Sequence, residues 1–232
     1  MRALLLFGVL AAACSTSGSD PSPAVETSVR PGINADFTDA NLDVDAMVKR
    51  FEAESREIFA RRAAIARAVG LRPGNAVADV GAGTGVMVDF FARDVGTEGR
   101  VYAVEIAPRF VEALRQRAQQ RRLPQVQAVL CSERDTGLAE ASVDVVFVCD
   151  TYHHFEYPKS TLASIHRALR PGGELVVVDF ERIPGTSRQW ILDHVRAGKD
   201  EVTAEITAAG FEFVTEVDVG LQENFFRRFK KR

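Results

Sequence analysis

The sequence predicts an α/β fold, a doubly wound and mostly parallel sheet with helices on both faces. Strand-like and helix-like segments alternate from residue 76, and the strand-like segments are near-continuous apolar runs such as VDVVFV. Strands of this kind are buried on both faces, which in an alternating chain indicates a parallel sheet covered by helices. The last two strand-like segments, GFEFVTEVDV and ENFFRRFKKR, have no helix between them. They must therefore pair antiparallel, because a parallel crossover needs a dozen or more residues.

Size and charge restrict the classes of function. With 232 residues, 46% of them hydrophobic, the chain can bury a substantial core, and we expect one main domain. The formal net charge of −3 gives no global basic field, so no nucleic-acid partner is expected. A local arginine cluster falls on a predicted amphipathic helix, where a solvated face is the simplest interpretation. Its members are Arg109, Arg115, Arg117, Arg121 and Arg122.

The N-terminal segment has the layout of a bacterial export signal. MRALLLFGVLAAAC carries one positive charge, then an apolar run too short to span a membrane, then small residues before Cys14. Its end resembles a lipoprotein signal, in which Cys14 would be lipidated and would anchor the chain to a membrane. A plain cleaved signal and a misassigned start codon are the alternatives, the second of which would leave the chain cytoplasmic. We therefore predict a signal over residues 1–14 and a Ser- and Pro-rich flexible tether over residues 15–40.

The remaining elements follow from apolar periodicity and from helix boundary signals. A helix is expected over residues 43–68, and Pro108 suits the first turn of a later helix. Cys131 and Cys149 each end a predicted strand and are read as small core residues rather than disulfide or zinc partners. The predicted strands are residues 76–80, 101–106, 126–130, 143–148, 174–180 and the final pair, and the helices after the first strand are residues 85–92, 108–122, 157–169 and 200–209.

A glycine-rich loop, G-A-G-T-G, directly follows the first predicted strand. A dinucleotide-binding loop needs its third glycine where this chain has Val86, so the spacing argues against a nicotinamide cofactor. The following helix would direct free N–H groups and a partial positive charge towards the loop, which suits a carboxylate or a phosphate. A tight turn with a purely structural role is the alternative interpretation.

Polar residues at the ends of the first three strands restrict the class of ligand that the site could bind. Asp79 is placed to receive the ammonium of an amino acid, and Glu105 to hydrogen-bond both hydroxyls of a ribose. Ser132 and Glu133 follow the third strand, where a polar side chain and a backbone N–H can bind an adenine edge. Together these groups predict a site for an adenosyl amino acid.

The motifs VADVGAGTG, VYAVEI, SVDVVFVCDTYHHF and LRPGGELVVVDF, in this order, resemble those of class I S-adenosylmethionine-dependent methyltransferases. The resemblance is closest to the bacterial small-molecule group and implies a Rossmann-like sheet of seven strands whose last strand is antiparallel. It implies a methyltransferase domain over residues 71–232, a helical lid over residues 41–70, S-adenosylmethionine as cofactor and an unidentified small-molecule acceptor. The implied cofactor contacts are Gly81, Ala82, Gly83 and Gly85 at the methionine end, Glu105 at the ribose, Ile106, Ser132 and Glu133 at the adenine, and Asp150 beside the sulfonium.

On the acceptor side, the protein has to align an acceptor with the methyl group and exclude water, since the sulfonium carries the chemistry. Tyr152, His153 and His154 are the candidate catalytic residues, because ligands bind outside the carboxyl ends of such strands. The alternative is that these side chains pack under the following helix or orient the loop. His166 and His194 are expected to be structural, although His194 lies in a segment that should roof the pocket.

Two further expectations concern metal and catalysis. Phe180 follows Asp179, where a metal-dependent catechol-type enzyme would carry an Asn, so no catalytic metal is predicted. The export signal favours an alternative function, a non-catalytic adenosyl-binding or scaffold domain anchored to a membrane. A membrane-surface protein that binds through FFRRFKKR is a third alternative.

Overall fold

The structure is a computed structural model that describes residues 25–232. The predicted signal and the first part of the predicted tether, residues 15–24, lie outside the described residues. Within residues 25–232, no helix is both long and apolar enough to cross a membrane.

A single seven-stranded sheet organises the chain, in the order β3-β2-β1-β4-β5-β7-β6. Strand β7 runs antiparallel to both of its neighbours, and the other pairs are parallel. This confirms the predicted fold class, including the antiparallel final strand. The strands are β1 (Ala76–Val80), β2 (Arg100–Glu105), β3 (Val126–Leu130), β4 (Val143–Cys149), β5 (Leu169–Phe180), β6 (Phe211–Glu216) and β7 (Asn224–Lys231).

Helices cover both faces of the sheet, as the apolar strands predicted. Alternate residues of β5 enter different clusters: Val177 joins Leu162 and Ile206 on one face, and Val176 joins Ile65 and Phe91 on the other. The core therefore lies in two layers, one on each side of the sheet. The helices are α1 (Ala35–Thr38), α2 (Val44–Phe51), α3 (Glu57–Val69), α4 (Val88–Val95), α5 (Pro108–Gln120), α6 (Pro158–Ala168), α7 (Gln189–His194) and α8 (Lys199–Ala208).

Two predicted helices have different boundaries in the structure. The helix expected over residues 43–68 is divided into α2 and α3, because the two parts bury different apolar faces. Helix α2 packs around Phe110, whereas α3 packs Ile65 against Phe91. Helix α4 begins at Val88 and not at residue 85, because Gly85 has a φ of +87° that a helix does not accommodate.

Residues 25–42, which we call the N-terminal strap, pack on the domain instead of extending away as a tether. The Glu26 carboxylate accepts the backbone N–H groups of Lys159 and Ser160 at the start of α6, both at 2.8 Å. The Val29 N–H donates to the carbonyl of Glu156 at 2.9 Å. The strap therefore lies over the loop that follows β4, the loop that carries the candidate catalytic residues.

Candidate cofactor and acceptor site

The three glycines of the loop after β1 have different roles. A Cβ at Gly81 would lie 2.3 Å from the Thr151 side chain, and one at Gly85 would lie 2.9 Å from Leu114. A Cβ at Gly83 would meet nothing closer than the Phe51 ring, at 3.9 Å. Packing therefore requires Gly81 and Gly85, whereas a Cβ at Gly83 would only reach ordinary van der Waals contact with Phe51.

Asp79 is a buried carboxylate without a hydrogen-bond donor among the described residues. Its exposed fraction is 3%. Burial, and secondarily the nearby charge of Glu105, raise the pKa of Asp79 to about 7. A buried ionised group without a partner is unfavourable, so a cationic ligand at this position would be strongly favoured.

Glu105, at the end of β2, is held by backbone groups. One oxygen accepts the N–H of Gly83 at 2.8 Å, and the other accepts those of Ile106 at 2.8 Å and Ala107 at 3.0 Å. Burial raises the pKa of Glu105, and these N–H groups oppose the rise only in part. A carboxylate offers about four lone-pair positions, so it retains capacity for a ligand hydroxyl. Glu105 thus joins the glycine loop to β2 and faces the same site as Asp79.

The loop after β3 lies beside Glu105, because the Cys131 N–H donates to the Glu105 carbonyl at 2.9 Å. The Ser132 hydroxyl accepts the backbone N–H of Asp135 at 3.1 Å and shapes the turn. Glu133 is exposed, and its carbonyl accepts the Thr161 hydroxyl at 3.0 Å. The structure thus brings Ser132 and Glu133 to the same edge of the sheet as Glu105, and their assignment to adenine stays a prediction.

Asp150, just after β4, is fixed by two residues that sequence reasoning missed in this role. The Arg56 Nη2 lies 2.5 Å from one of its oxygens, and the Asn224 Nδ2 donates to the other at 2.6 Å. Burial raises the pKa of Asp150 to about 6, although the Arg56 charge opposes it. Asp150 also has a φ of +48°, uncommon for a residue with a side chain, so its backbone is tightly determined.

Tyr152 does not face a pocket. It is fully buried, and its hydroxyl donates to Glu205 at 2.8 Å, a carboxylate that Arg196 also grips through two nitrogens. This network is under the sheet edge, between the short 3-10 turn (Tyr152–His154) and α8. Tyr152 therefore contributes to core packing, and its catalytic role stays a prediction.

His153, His154 and His194 come together at the carboxyl edge of the sheet; we call them the three-histidine cluster. His153 Nδ1 lies 2.7 Å from Asp179 Oδ1, and both residues are buried. His154 Nε2 lies 3.3 Å from His194 Nε2. The structure thus adds His194, which was expected to be structural, to the two predicted histidines.

The electrostatics of the cluster favour neutral His154 and His194 rings and an ionised Asp179 carboxylate. Burial, and then the neighbouring His153 and His194, lower the pKa of His154 to about 3. The pKa of Asp179 is lowered overall: burial would raise it, but His153 and the N–H of Phe180 stabilise the carboxylate more. His154 is thus a neutral imidazole at physiological pH, able to bind a metal ion.

Arg117 is a further residue that was misjudged, because it was assigned to a solvated helix face. Its guanidinium donates to Glu52 at the end of α2 (3.3 Å), to the Thr84 carbonyl (3.2 Å) and to Asp89 on α4 (2.9 Å). It therefore connects the helix that carries Phe51 to the glycine loop. Nothing in the helical periodicity separates Arg117 from its exposed neighbours, so this role has no signal in the sequence.

The sheet order, the glycine loop and the acidic strand ends together are those of a methyltransferase fold. Residues 78–177 match the family model described as "Methyltransferase domain". A solved SAM-dependent methyltransferase from Aquifex aeolicus is 24% identical, with a TM-score of 0.71 over 81% of this chain and 98% of that chain. Residues 78–177 therefore resemble a methyltransferase domain, and the chain has the fold of a solved SAM-dependent methyltransferase.

Two further comparisons show how far this likeness extends. The ubiquinone/menaquinone biosynthesis C-methyltransferase of Cupriavidus taiwanensis is 29% identical over 49% of this chain and 46% of its own length. The chain thus spans less than half the length of the curated relatives it matches. A solved structure described as the cyclase SpnF is 17% identical, with a TM-score of 0.65 over 74% of this chain and 80% of that chain. The fold is thus shared by proteins with different described activities.

Proposed function

We propose that the protein is an S-adenosylmethionine-dependent methyltransferase that acts on a small-molecule acceptor. The observation that carries the proposal is the buried Asp79, which has no hydrogen-bond partner among residues 25–232, beside Glu105 and the glycine loop. The cofactor has an ammonium for the first group and ribose hydroxyls for the second. No dinucleotide offers an ammonium at this position, so the two carboxylates together favour an adenosyl amino acid.

In this proposal, different residues along the same edge of the sheet bind the cofactor and the acceptor. Asp79 and the loop from Gly81 to Gly85 hold the methionine end, Glu105 holds the ribose, and the segment after β3 with Ile106 lies at the adenine. Asp150, fixed by Arg56 and Asn224, would lie near the sulfonium of the bound cofactor and would help to position it. The protein thereby supplies alignment and exclusion of water rather than a covalent step.

The acceptor would bind against the three-histidine cluster. Aromatic rings lie beside these histidines. The ring centroid of Phe37 lies 5.3 Å from that of His154, and the Phe180 centroid lies 5.7 Å from that of His153. The Trp190 ring packs on Phe180 in turn, with the centroids 4.9 Å apart. Such a lining favours a flat, mostly apolar acceptor. His154 stays a candidate for contact with the acceptor, but its lowered pKa makes the ring a weak base, so the proposal assigns it no proton transfer.

Calorimetric titration with S-adenosylmethionine tests the cofactor assignment. Wild-type protein is expected to bind one equivalent, and Glu105→Ala is expected to bind at least tenfold more weakly, since the hydrogen bond from a ribose hydroxyl to the carboxylate is lost. Glu112→Ala, on the exposed surface of α5, is the matched control and should bind like the wild type. Absence of binding by the wild type would overturn the proposal.

A second candidate function is binding of the cofactor without methyl transfer, as an adenosyl-binding or scaffold domain. The observation that favours it is that Asp150 and Asp179, the carboxylates after β4 and β5, are both paired with other described residues, so neither is free to act as a base. Transfer of a labelled methyl group to a panel of ring acceptors separates the two. Tight binding without transfer to any acceptor would favour the second candidate.

We also propose that Cys14 carries a lipid that anchors the protein to a membrane outside the cytoplasm. The support is the sequence layout before Cys14 alone. Growth with radioactive palmitate should label the wild type and leave Cys14→Ala unlabelled. Equal labelling of both proteins would contradict the anchor and favour a plain signal or a misassigned start.

A further inference from the structure

We propose that the three-histidine cluster binds a divalent transition-metal ion, with Zn²⁺ as the best match. One ligand atom from each of His153, His154 and His194 lies within 4.8 Å of the other two. The two Nε2 atoms of His154 and His194 are 3.3 Å apart. Two nitrogens bound to a tetrahedral zinc at about 2.0–2.1 Å are separated by about 3.3–3.4 Å, so this pair already has the spacing of two ligands.

The third ligand is oriented by a carboxylate. His153 presents Nδ1 to Asp179 at 2.7 Å, and this contact leaves its Nε2 for a metal. Histidine ligands characteristically hold a carboxylate on the ring nitrogen that does not bind the metal, which fixes the ring orientation. Asp179 is itself held by the N–H groups of His153 and Phe180, at 3.1 Å and 2.7 Å. The orientation of His153 is thus determined before any metal binds.

Charges and packing around the cluster define what it would bind. Asp179 contributes the negative charge, while the charges of Arg30 and Arg50 act on His194 and oppose a cation. Arg30 is partly engaged elsewhere, because its Nη2 donates to the Asp193 carbonyl at 2.7 Å. Three imidazoles suit borderline cations such as Zn²⁺, Co²⁺ or Ni²⁺ and disfavour Mg²⁺, which prefers oxygen ligands.

Three protein ligands leave one coordination position open, the arrangement of catalytic rather than structural zinc sites. That position would take a water or an oxygen of the acceptor. The site differs from the one considered in the sequence, which would have used Asp150 and Asp179 as ligands. It also goes beyond the proposed methyl transfer and does not depend on it, because none of the three histidines is assigned to the cofactor.

Cobalt titration of the full-length, tag-free, metal-stripped protein tests this site without cofactor or acceptor. Co²⁺ is expected to bind at one equivalent with the intense visible absorption of a four-coordinate ion, and Zn²⁺ is expected to displace it. His194→Ala should lower the Co²⁺ affinity at least 100-fold, and Asp179→Asn should lower it 10–100-fold. His166→Ala, which removes the remaining histidine of the chain, is the matched control and should leave the affinity unchanged.

The outcomes that overturn the proposal are equally definite. Wild-type affinity in both His194→Ala and His154→Gln would contradict it, and so would a spectrum with a cobalt–thiolate band, which would place the ion at a cysteine. His194 is only partly buried and lies on a short helix, so its replacement is expected to preserve the fold; circular dichroism checks this. Failure of metal binding would leave S-adenosylmethionine binding unaffected, and the reverse, so the two proposals fail separately.

Discussion

Two buried carboxylates at this edge of the sheet have opposite environments. Asp79 belongs to the proposed cofactor side, with the glycine loop and Glu105, and Asp179 belongs to the proposed acceptor side, with the three-histidine cluster. On the cofactor side, Asp79 has no donor among the described residues, and its pKa is raised to about 7. On the acceptor side, Asp179 has three donors from His153 and Phe180, and its pKa is lowered. An unpaired buried carboxylate favours a cationic ligand, whereas a paired carboxylate holds the groups that donate to it in place.

The sharpest way to break this comparison is to make the same substitution on both sides. Asp79→Asn should stabilise the fold at pH 8, by an amount on the order of 1.4 kcal/mol per unit of raised pKa. Asp179→Asn should destabilise it by about 2–3 kcal/mol, because the amide leaves donors facing donors. Urea unfolding at pH 8 measures both changes.

The sign for Asp79 follows from linkage. Its pKa is near 3.8 when unfolded and about 7 when folded, so the wild type loses stability as pH rises between these values. The gain from Asp79→Asn should therefore grow from pH 4 to pH 7 and then level off. A destabilising Asp79→Asn at pH 8 would contradict the view that this carboxylate is unpartnered.

The glycine loop allows a second paired test, within the cofactor side. Gly81→Ala should lower the free energy of unfolding by about 3 kcal/mol, because the new Cβ would overlap the Thr151 side chain. Gly83→Ala should cost only about 1–2 kcal/mol, the penalty of its φ of +54°. The Gly83 variant should instead lose affinity for S-adenosylmethionine. Equal stability losses would remove the distinction between a packing glycine and a site glycine.

The pH dependence of cofactor binding sharpens the same comparison. The cofactor ammonium favours ionised Asp79, so binding near or below pH 7 must release the proton that Asp79 carries in the free protein. Affinity should therefore fall by up to tenfold per pH unit as pH drops from 7 to 5. Titrations in buffers of different ionisation enthalpy measure the released proton. Asp79→Asn should abolish that release, and a release that persists in the variant would point to another group.

Arg117 provides the smallest expected effect. Arg117→Ala removes the contacts that join α2 to the glycine loop, so S-adenosylmethionine affinity should drop about fivefold, with about 1 kcal/mol lost per hydrogen bond to a half-buried charge. Arg115→Ala, an exposed arginine on the same helix, is the control. Loss of affinity in both variants would indicate a general charge effect rather than a positioning role.

The sequence predicted what is encoded locally and missed what is assembled from distant parts. The strands, the glycine loop and the acidic strand ends each lie within a few residues of the signal that predicts them. Asp150 instead depends on Arg56 and Asn224, which are 94 and 74 residues away along the chain. Only the sheet order brings these residues together, and no short pattern records that order.

On the acceptor side, the sequence also fails to predict where the side chains of a single turn point. Tyr152, His153 and His154 are consecutive, yet in a 3-10 turn they point to Glu205, to Asp179 and to His194 respectively. Periodicity does not resolve three directions within three residues. The helix predicted over residues 43–68 was divided for a comparable reason, since its two halves bury against different partners.

Strand β7 has a consequence for the order in which the site is completed. Because it runs antiparallel to β5, its first residue, Asn224, reaches the edge where the parallel strands end. Among the residues that fix Asp150, Asn224 is therefore the last to leave the ribosome. A chain still in synthesis would contain the glycine loop, Asp79 and Glu105 before Asn224, so Asp150 would still lack one of the two residues that fix it. The groups proposed to bind the cofactor would thus be synthesised well before Asn224, the second residue that fixes Asp150.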